Sequence, residues 1–559
     1  MSSAKELRVL YFSPRSDALK TFAAELAAAG VGATWNHDDL VVELDGVWLR
    51  LAHEKDVSNV RTRLDREYVS FVLVELRRER SDAPMARRSE AVEDLVTALD
   101  HASDVELRYG FHRIGLLISD EHDDQPLESL LLSFGAQGIR LAWRPRPGER
   151  GFARRALKAV SQAITHRRVG KKAICLSGGG TTGIYFELGV LKCLQDCLPK
   201  GAISEMDMYF GISAGAVVAS LLAVGYSVDE FMAAVAGENG TRMPPVDLRL
   251  VRRHNYDGAR LRQRLLQAAI RNAQKAGLAL VRRRPSDTRA LAPDSRSLWA
   301  APFKAEALER YLRDAFELPG ASNRFDQLDR ELFVGTTDLD SRRHTLFGSN
   351  DSPPTTISKA VQASVSFNPV FGPVKIGERF FEDGAVTRTS NMSQAIERGA
   401  TLVLVVDPFV PHVSREPGMH VERSLFYHVD QNLRTMSFTR FANARKWVVR
   451  RHPDVGLYTF FPSNRQRRLI ADNPMDHRAY ALIWKGAYLS TLARLERCWP
   501  KLAGDLDAHG VPGDLETAHI VARQLEQVEY PTLADFYPGR KLESHLPPLT
   551  LDRRRQRVE

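Results

Sequence analysis

Apolar and polar positions change period repeatedly along the first 168 residues, and the changes mark elements. Leu7–Ser13 is a short apolar run rich in β-forming residues, and Ala18–Gly30 has helical spacing that closes on a glycine. Asp39–Leu44 and Val47–Ala52 predict two strands joined at Asp45-Gly46, a hairpin signal. Tyr68–Leu76, Arg113–Asp120 and Ile139–Trp143 predict further strands, with helical stretches at Ser89–Ala102, Leu127–Phe134 and Gly151–His166. Such alternation predicts a small α/β domain with a mostly parallel sheet. No catalytic constellation falls within it, so the expectation for 1–168 is a regulatory or docking domain.

A basic stretch at 165–172 reads as a linker, and a second pattern follows. Ala173–Leu176 is strand-like, then come glycines, then a helix with Ile184, Leu188, Leu191, Leu194 and Leu198 on one face. Met206–Phe210 predicts a strand and Ala216–Gly225 an apolar helix ended by its glycine. Residues 281–298 are polar and Pro-containing, a long loop or insertion. Ser424–Arg451 predicts one long helix, with Phe426, Leu433, Phe438, Phe441 and Trp447 among many arginines.

Composition narrows this picture modestly. Hydrophobic residues at 43% and charged residues at 26% suit folded domains and exclude wholesale disorder. The 559 residues divide on this reading into 1–168, a catalytic domain at 169–500, and an extension at 501–559 with a basic tail. Cys175, Cys193, Cys197 and Cys498 form no CxxC pair, so neither a zinc site nor a disulfide framework is expected, and a reducing compartment is the simpler reading. No metal or cofactor is expected. Met1–Ser13 lacks the apolar core of a signal peptide, and no run of about 18 apolar residues exists. A cytoplasmic chain with at most peripheral membrane contact is the expectation. The +9 net charge is a weak bias toward anionic partners, and no nucleic-acid reading motif accompanies it.

The chemistry concentrates after residue 177. Gly178, Gly180 and Gly183 satisfy GxGxxG between a strand and a helix, a pattern shared by pyrophosphate-binding and oxyanion-binding loops, because both crowd backbone N–H groups around an anion. Gly211-Ile212-Ser213-Ala214-Gly215 then stands between an apolar strand and an apolar helix, the context in which GxSxG presents a serine on a sharp turn. A dinucleotide site would want an acidic residue ending the second strand, and Asp207 stands at its beginning. The serine needs a base. His412, His420, His428, His452 and His477 lack the glycine-flanked loop of a catalytic histidine. Asp383-Gly384-Ala385 follows the strand-like Phe380-Phe381 and places a carboxylate at a strand end. Asp257-Gly258-Ala259 is a decoy, with Asp257 suited to cap the helix that follows.

In this order, Gly178-Gly179-Gly180-Thr181-Thr182-Gly183, Gly211-Ile212-Ser213-Ala214-Gly215 and Asp383-Gly384-Ala385 resemble the three signatures of patatin-like phospholipases. The stretches at 332–347, 360–374 and 400–408 are similar to that family too, so the resemblance covers roughly 172–410. It implies a three-layer α/β/α fold and a Ser–Asp dyad acting on acyl esters or phospholipids. By the same resemblance Ser213 is the nucleophile, Asp383 the base, and the glycine-loop amides of Gly178, Gly179, Gly180 and Gly183, with Ala214, the oxyanion hole. Gly211 and Gly215 shape the elbow. Thr182 departs from the family, many members of which carry Lys or Arg there.

Two other classes stay open on the residues alone: a non-catalytic lipid-binding or scaffolding protein that keeps the fold, and an α/β-hydrolase with a Ser-His-Asp triad. The helix at 424–451 has two readings of its own. Its basic and aromatic mixture suits an anionic bilayer or a lipid body. The simpler reading packs the apolar positions inward and leaves the arginines in water.

Overall fold

The computed structural model describes residues 6–66, 69–76, 113–118, 141–166, 168–238, 241–246, 305–368, 370–414, 416–472 and 479–539, with a few short pieces between 94 and 139 and between 266 and 303. The expected helix at 89–102, most of that at 127–134, the 281–298 loop, Asp257 and His477 lie outside the described residues. Packing divides the chain into two units. One comprises Met1–Val169, Arg445–Gly456 and Leu495–Ala508, the other Gly170–Ala444, Leu457–Arg494 and His509–Glu559.

In the first unit, strands β1 (Glu6–Phe12), β2 (Ala33–Asn36), β3 (Asp39–Leu44), β4 (Val47–Glu54), β5 (Phe71–Glu75), β6 (Ile114–Leu117) and β7 (Leu141–Trp143) form a sheet in the order β2-β3-β4-β1-β5-β6-β7. From β4 to β7 the pairing is parallel, and β2-β3-β4 is an antiparallel meander. Asp45 and Gly46 both have positive φ, 52° and 80°, as the hairpin signal requires. The edge strand β2 is largely exposed and carries little apolar signal. Alternate residues of the central strands feed two cores: Val9, Tyr11, Phe71 and Leu73 pack with helices α1 (Ala18–Ala28) and α3 (Phe152–Thr165), while Leu10, Phe12, Val72 and Val74 pack with α2 (Val57–Arg66). Covering both faces is what a parallel sheet demands.

The second unit repeats this construction around a larger sheet, ordered β12-β13-β10-β9-β8-β14-β15. Its strands are β8 (Lys171–Leu176), β9 (Met208–Ile212), β10 (Glu331–Asp338), β11 (His344–Phe347), β12 (Val374–Ile376), β13 (Arg379–Asp383), β14 (Ala400–Val406) and β15 (Gly456–Phe460). β14, β8, β9 and β10 run parallel, whereas β11 and β13 pair with β10 antiparallel. Every residue of β9 and β14 is buried, odd and even positions alike, so both sheet faces are covered and the fold is layered α/β/α. Helix α4 (Gly180–Cys197) follows β8, and α5 (Ala214–Val224) follows β9 and packs on β8, β9 and β10. α5 ends, as expected, on a left-handed Gly225 at φ 106°. Helices α6 (Ile357–Ser364) and α7 (Met392–Glu397) pack on β10 and β14 respectively.

The long helix forms as α8 (Leu425–Arg451), and its sidedness corrects the simpler expectation in part. Tyr427, Phe441 and Val448 are buried and Arg440, Arg450 and Arg451 exposed, as expected, but Arg434 and Arg445 are buried while Leu425, Val429, Met436 and Trp447 are exposed. The arginines turn inward where backbone carbonyls, a carboxylate or a ring receive them: Arg434 donates to Asp430 Oδ2 at 2.7 Å and to the Pro408 carbonyl at 3.2 Å, and lies over the Phe409 ring.

Candidate active site

Ser213 sits at the turn between β9 and α5 with φ 54° and ψ −121°, a region that non-glycine residues rarely occupy. Two glycines make that turn possible. A Cβ on Gly215 would stand 2.4 Å from the Leu176 carbonyl, and one on Gly211 would stand 2.4 Å from Ala216 Cα. The turn is tied down on both sides: Gly215 N–H donates to Ser177 O at 3.1 Å, and Ser213 N–H donates to Ser364 Oγ at 2.8 Å. Ser364, at the end of α6, in turn donates to the Gly335 carbonyl at 2.7 Å.

Asp383 ends β13, fully buried, with its N–H on Ser366 O at 3.1 Å and its Oδ1 accepting the Ala385 N–H at 2.8 Å. Burial pushes its carboxyl up to about 7, against the opposing pull of the Ser213 hydroxyl and the Ala385 N–H, with the neighbouring Glu382 charge adding to the rise. Antiparallel pairing sets Asp383 opposite Thr336, and Gly384 lies so close to the Gly335 carbonyl that a Cβ there would stand 2.4 Å away. The three motifs therefore converge. A Cβ built on Gly178 would lie 3.2 Å from Ser213 Cβ, 3.7 Å from Ser213 Oγ and 3.7 Å from Ala385 Cβ.

The glycine loop caps α4 at its N-terminus. The N–H groups of Gly178, Gly179, Gly180 and Ala214 donate to no group among the described residues, while Gly183 N–H is spent on Gly179 O at 3.1 Å. Two helix N-termini, those of α4 and α5, thus leave backbone donors beside the serine. Gly183 belongs to the loop's packing and not to its free donors: a Cβ there would lie 3.3 Å from Pro408 Cγ, and one on Gly179 would lie 2.7 Å from it.

No histidine hydrogen-bonds to Ser213 or Asp383 among the described residues. His412 and His420 both meet the Tyr427 hydroxyl, at 3.5 and 2.9 Å. His344 is partly buried, with its ring nitrogens 3.1 Å from Thr387 Oγ1 and Asn391 Oδ1. Burial and the Arg388 charge lower it to about 4, so it is neutral at physiological pH. Thr387 meets Thr337 Oγ1 at 2.9 Å, and Thr337 donates to the Asp383 carbonyl at 2.9 Å. Ser364, His344, Thr337 and Pro408 are supports that the sequence reading did not single out; all lie inside the family-like stretches, but no local spacing sets them apart. Arg440 of α8 is another, donating to the carbonyls of Val386 at 3.1 Å and Ala385 at 3.2 Å.

A second pair of buried acids lies beneath the loop. Asp407, after β14, accepts the Phe409 N–H at 2.9 Å, and burial pushes it up to about 7. Glu187 of α4 lies well above the usual carboxylate range through burial and the Asp407 charge. Neither of its oxygens has a hydrogen-bond partner among the described residues, and the Ser177 N–H, which lowers its pKa slightly, is committed to Val406 O at 3.0 Å. No three His, Cys, Asp or Glu side chains gather in a metal-holding group among the described residues. No helix among them is long and apolar enough to cross a membrane.

Known proteins resemble parts of this chain. An uncharacterised protein, R571, of Acanthamoeba polyphaga mimivirus is 25% identical over 217 residues, which cover 39% of this chain and 58% of that protein. The cUMP-AMP-activated phospholipase of Escherichia coli is 42% identical over 62 residues, 11% of this chain and 19% of that one. The chain thus spans less than two thirds of the length of either relative. Among solved structures, VipD from Legionella pneumophila aligns at 15% identity and a TM-score of 0.25, over 66% of this chain and 79% of that one. The type III effector ExoU aligns at 16% and 0.20, over 66% and 74%. Those two superpositions are too loose to support an argument. Residues 174–396 match the family model of patatin-like phospholipases, so it is this family that the span resembles.

Proposed function

We propose that the second unit is a serine acyl hydrolase that cleaves carboxylic esters of lipids, of phospholipase A or lysophospholipase type, with Ser213 and Asp383 as a catalytic dyad. The observation that carries this reading is the pairing of a serine held at φ 54° on a strand–helix elbow with a buried carboxyl under its hydroxyl. The Ser213 Oγ–carbonyl carbon bond forms as the hydroxyl proton passes to Asp383. The carbonyl oxygen takes the displaced electron pair and is met by the N–H groups of Gly178, Gly179, Gly180 and Ala214; one such donor is typically worth about 3–4 kcal/mol. Collapse breaks the ester C–O bond, and the leaving alkoxide takes the proton back from Asp383. Water, deprotonated by the same carboxylate, then releases the acid and restores the serine.

One buried carboxyl and no histidine hydrogen-bonded to the serine among the described residues favour the dyad over a triad. For the first unit, docking or regulation is the role we assign. Purified protein reacting with a fluorophosphonate probe and hydrolysing p-nitrophenyl butyrate, both abolished in Ser213→Ala, is the expected result. An unreactive wild-type protein that is folded would leave a lipid-binding protein instead.

A further inference from the structure

α8 buries Arg434 and Arg445 and leaves an apolar stripe on its outward face, which leads to the turn after Asp383. At 100° per residue, Leu425, Val429, Met436 and Arg440 fall within about 60° of one another, a stripe about 22 Å long. Leu425 is 75% exposed, Val429 49% and Met436 59%, although helices ordinarily bury such residues. On the opposite side, Arg434 is buried and fixed to Asp430 and to the carbonyl of Pro408, whose ring packs beside Gly179 and Gly183. At the far end of the stripe Arg440 holds the carbonyls of Ala385 and Val386, directly after Asp383. α8 is therefore held at Arg434 and at Arg440 to loops that carry the site. Val386, partly exposed, extends the apolar surface onto the catalytic turn itself.

We propose that this stripe is the surface by which the protein docks on an anionic lipid interface, with Leu425, Val429 and Met436 entering the headgroup–acyl boundary. The proposal rests on the lipid hydrolase reading and names the partner of that site. Charge selects the occupant. Neither Arg388 nor Arg440, which flank the catalytic turn, forms an ion pair with a carboxylate among the described residues. Asp430 is turned inward onto Arg434, and Glu422 stands just ahead of the helix. Apolar side chains at helical spacing bordered by unpaired cations suit lipid headgroups of negative charge. An exposed apolar stripe with no such use would be a liability for a monomer in water.

The test uses full-length Ser213→Ala protein, so that no lipid is consumed, and sedimentation with vesicles of phosphatidylcholine alone or mixed equally with phosphatidylglycerol. Binding to the mixed vesicles and weak binding to the neutral ones is expected. Adding Leu425→Ser, Val429→Ser and Met436→Ser together should cut the bound fraction about tenfold or more. The same three substitutions on the Ser213 background should leave p-nitrophenyl butyrate hydrolysis and the thermal midpoint unchanged. Equal vesicle binding with and without the stripe would overturn the proposal, as would no binding to mixed vesicles. A dimer seen by light scattering that the triple substitution dissociates, with vesicle binding unaltered, would assign the stripe to a second copy of the chain. The soluble-ester assay reports on the dyad separately, so a failure of the hydrolase reading and a failure of the docking surface give different results.

Discussion

The two sheets are built alike, yet it is at the strand ends of the second that the proposed chemistry gathers. In both, fully buried parallel strands occupy the centre, and in both the loops leave from the carboxyl ends of those strands. The first sheet spends its strand-end polar groups on each other: the Tyr11 hydroxyl donates to Glu75, and His53 meets the Ser13 carbonyl. The second sheet places Gly178–Gly180 after β8, Ser213 after β9 and Asp407-Pro408 after β14. Positive φ shows the same contrast. Asp45 at 52° shapes an exposed hairpin in the first unit, whereas Ser213 at 54° is packed among loops in the second. One strained residue turns a chain; the other aims a hydroxyl. What separates the units is what the strand-end loops bring together, not the layer architecture.

The sharpest way to break this comparison is to remove the chemistry and keep the fold. Ser213→Ala and Asp383→Asn should each lower kcat/KM on p-nitrophenyl butyrate by about 10⁴-fold or more, and the double variant should be no worse than either, because the pair acts as a unit. An active, folded Asp383→Asn protein would remove the dyad.

Glycine substitutions contrast the two units by stability. Gly215→Ala drives a Cβ into the Leu176 backbone and should cost about 3 kcal/mol or more in chemical unfolding, or leave no folded protein. Gly46→Ala also changes a glycine, but its Cβ meets nothing within 4 Å, so only the positive φ is strained and about 1 kcal/mol is expected. Equal costs would mean that the elbow is no tighter than the hairpin.

Protonation gives a third handle. A base raised to about 7 must be ionised to act, so kcat/KM should rise with pH up to about 7 and level off above it. For stability the sign is opposite. Between the ordinary aspartate range and about 7 the folded protein keeps a proton that the unfolded chain has released, so this carboxyl's contribution is full at low pH and lost as pH rises through that window. Asp383→Asn should flatten both curves; a wild-type activity profile centred near 4 would contradict the burial argument.

The smallest effect is expected beneath the glycine loop. Burial and the Asp407 charge hold the Glu187 carboxyl well above the usual carboxylate range in the folded protein, and Glu187→Gln keeps the shape of its protonated form. The wild-type protein pays for that neutrality as the unfolded chain ionises, so the variant should gain stability relative to wild type between pH 5 and 8 in chemical unfolding. A loss of several kcal/mol at pH 8 would instead mean an ionised, partnered carboxylate.

The glycine loop, the elbow and the aspartate turn were legible because each is a local device: a few glycines beside one functional residue, bracketed by strand and helix. Their convergence was carried by the family resemblance and not by spacing, since Asp383 lies far along the chain from Ser213. The edge strand β2 was missed because three of its four residues are exposed, which removes the apolar signal. The extent of α8 could be read from its continuous helix-forming residues, but its sidedness could not.

Sequence by itself determined the central strands of the first sheet, the strand–loop–helix units that follow β8 and β9, the left-handed glycine that ends α5, and the residue types at Ser213 and Asp383. Those choices rest on interactions within a few residues, where side-chain period and backbone freedom decide the outcome. Only the tertiary structure decided which carboxyl is buried against the serine, that Ser364 and Pro408 hold the two loops, and that Arg445–Gly456 and Leu495–Ala508 pack in the same unit as Met1–Val169. It also turned Arg434 and Arg445 of α8 inward. A buried arginine is tolerated where its own helix supplies a carboxylate four residues back, as Asp430 does for Arg434, and a distant loop supplies a carbonyl and a ring, as Pro408 and Phe409 do; no periodicity within one helix can encode partners that another loop provides.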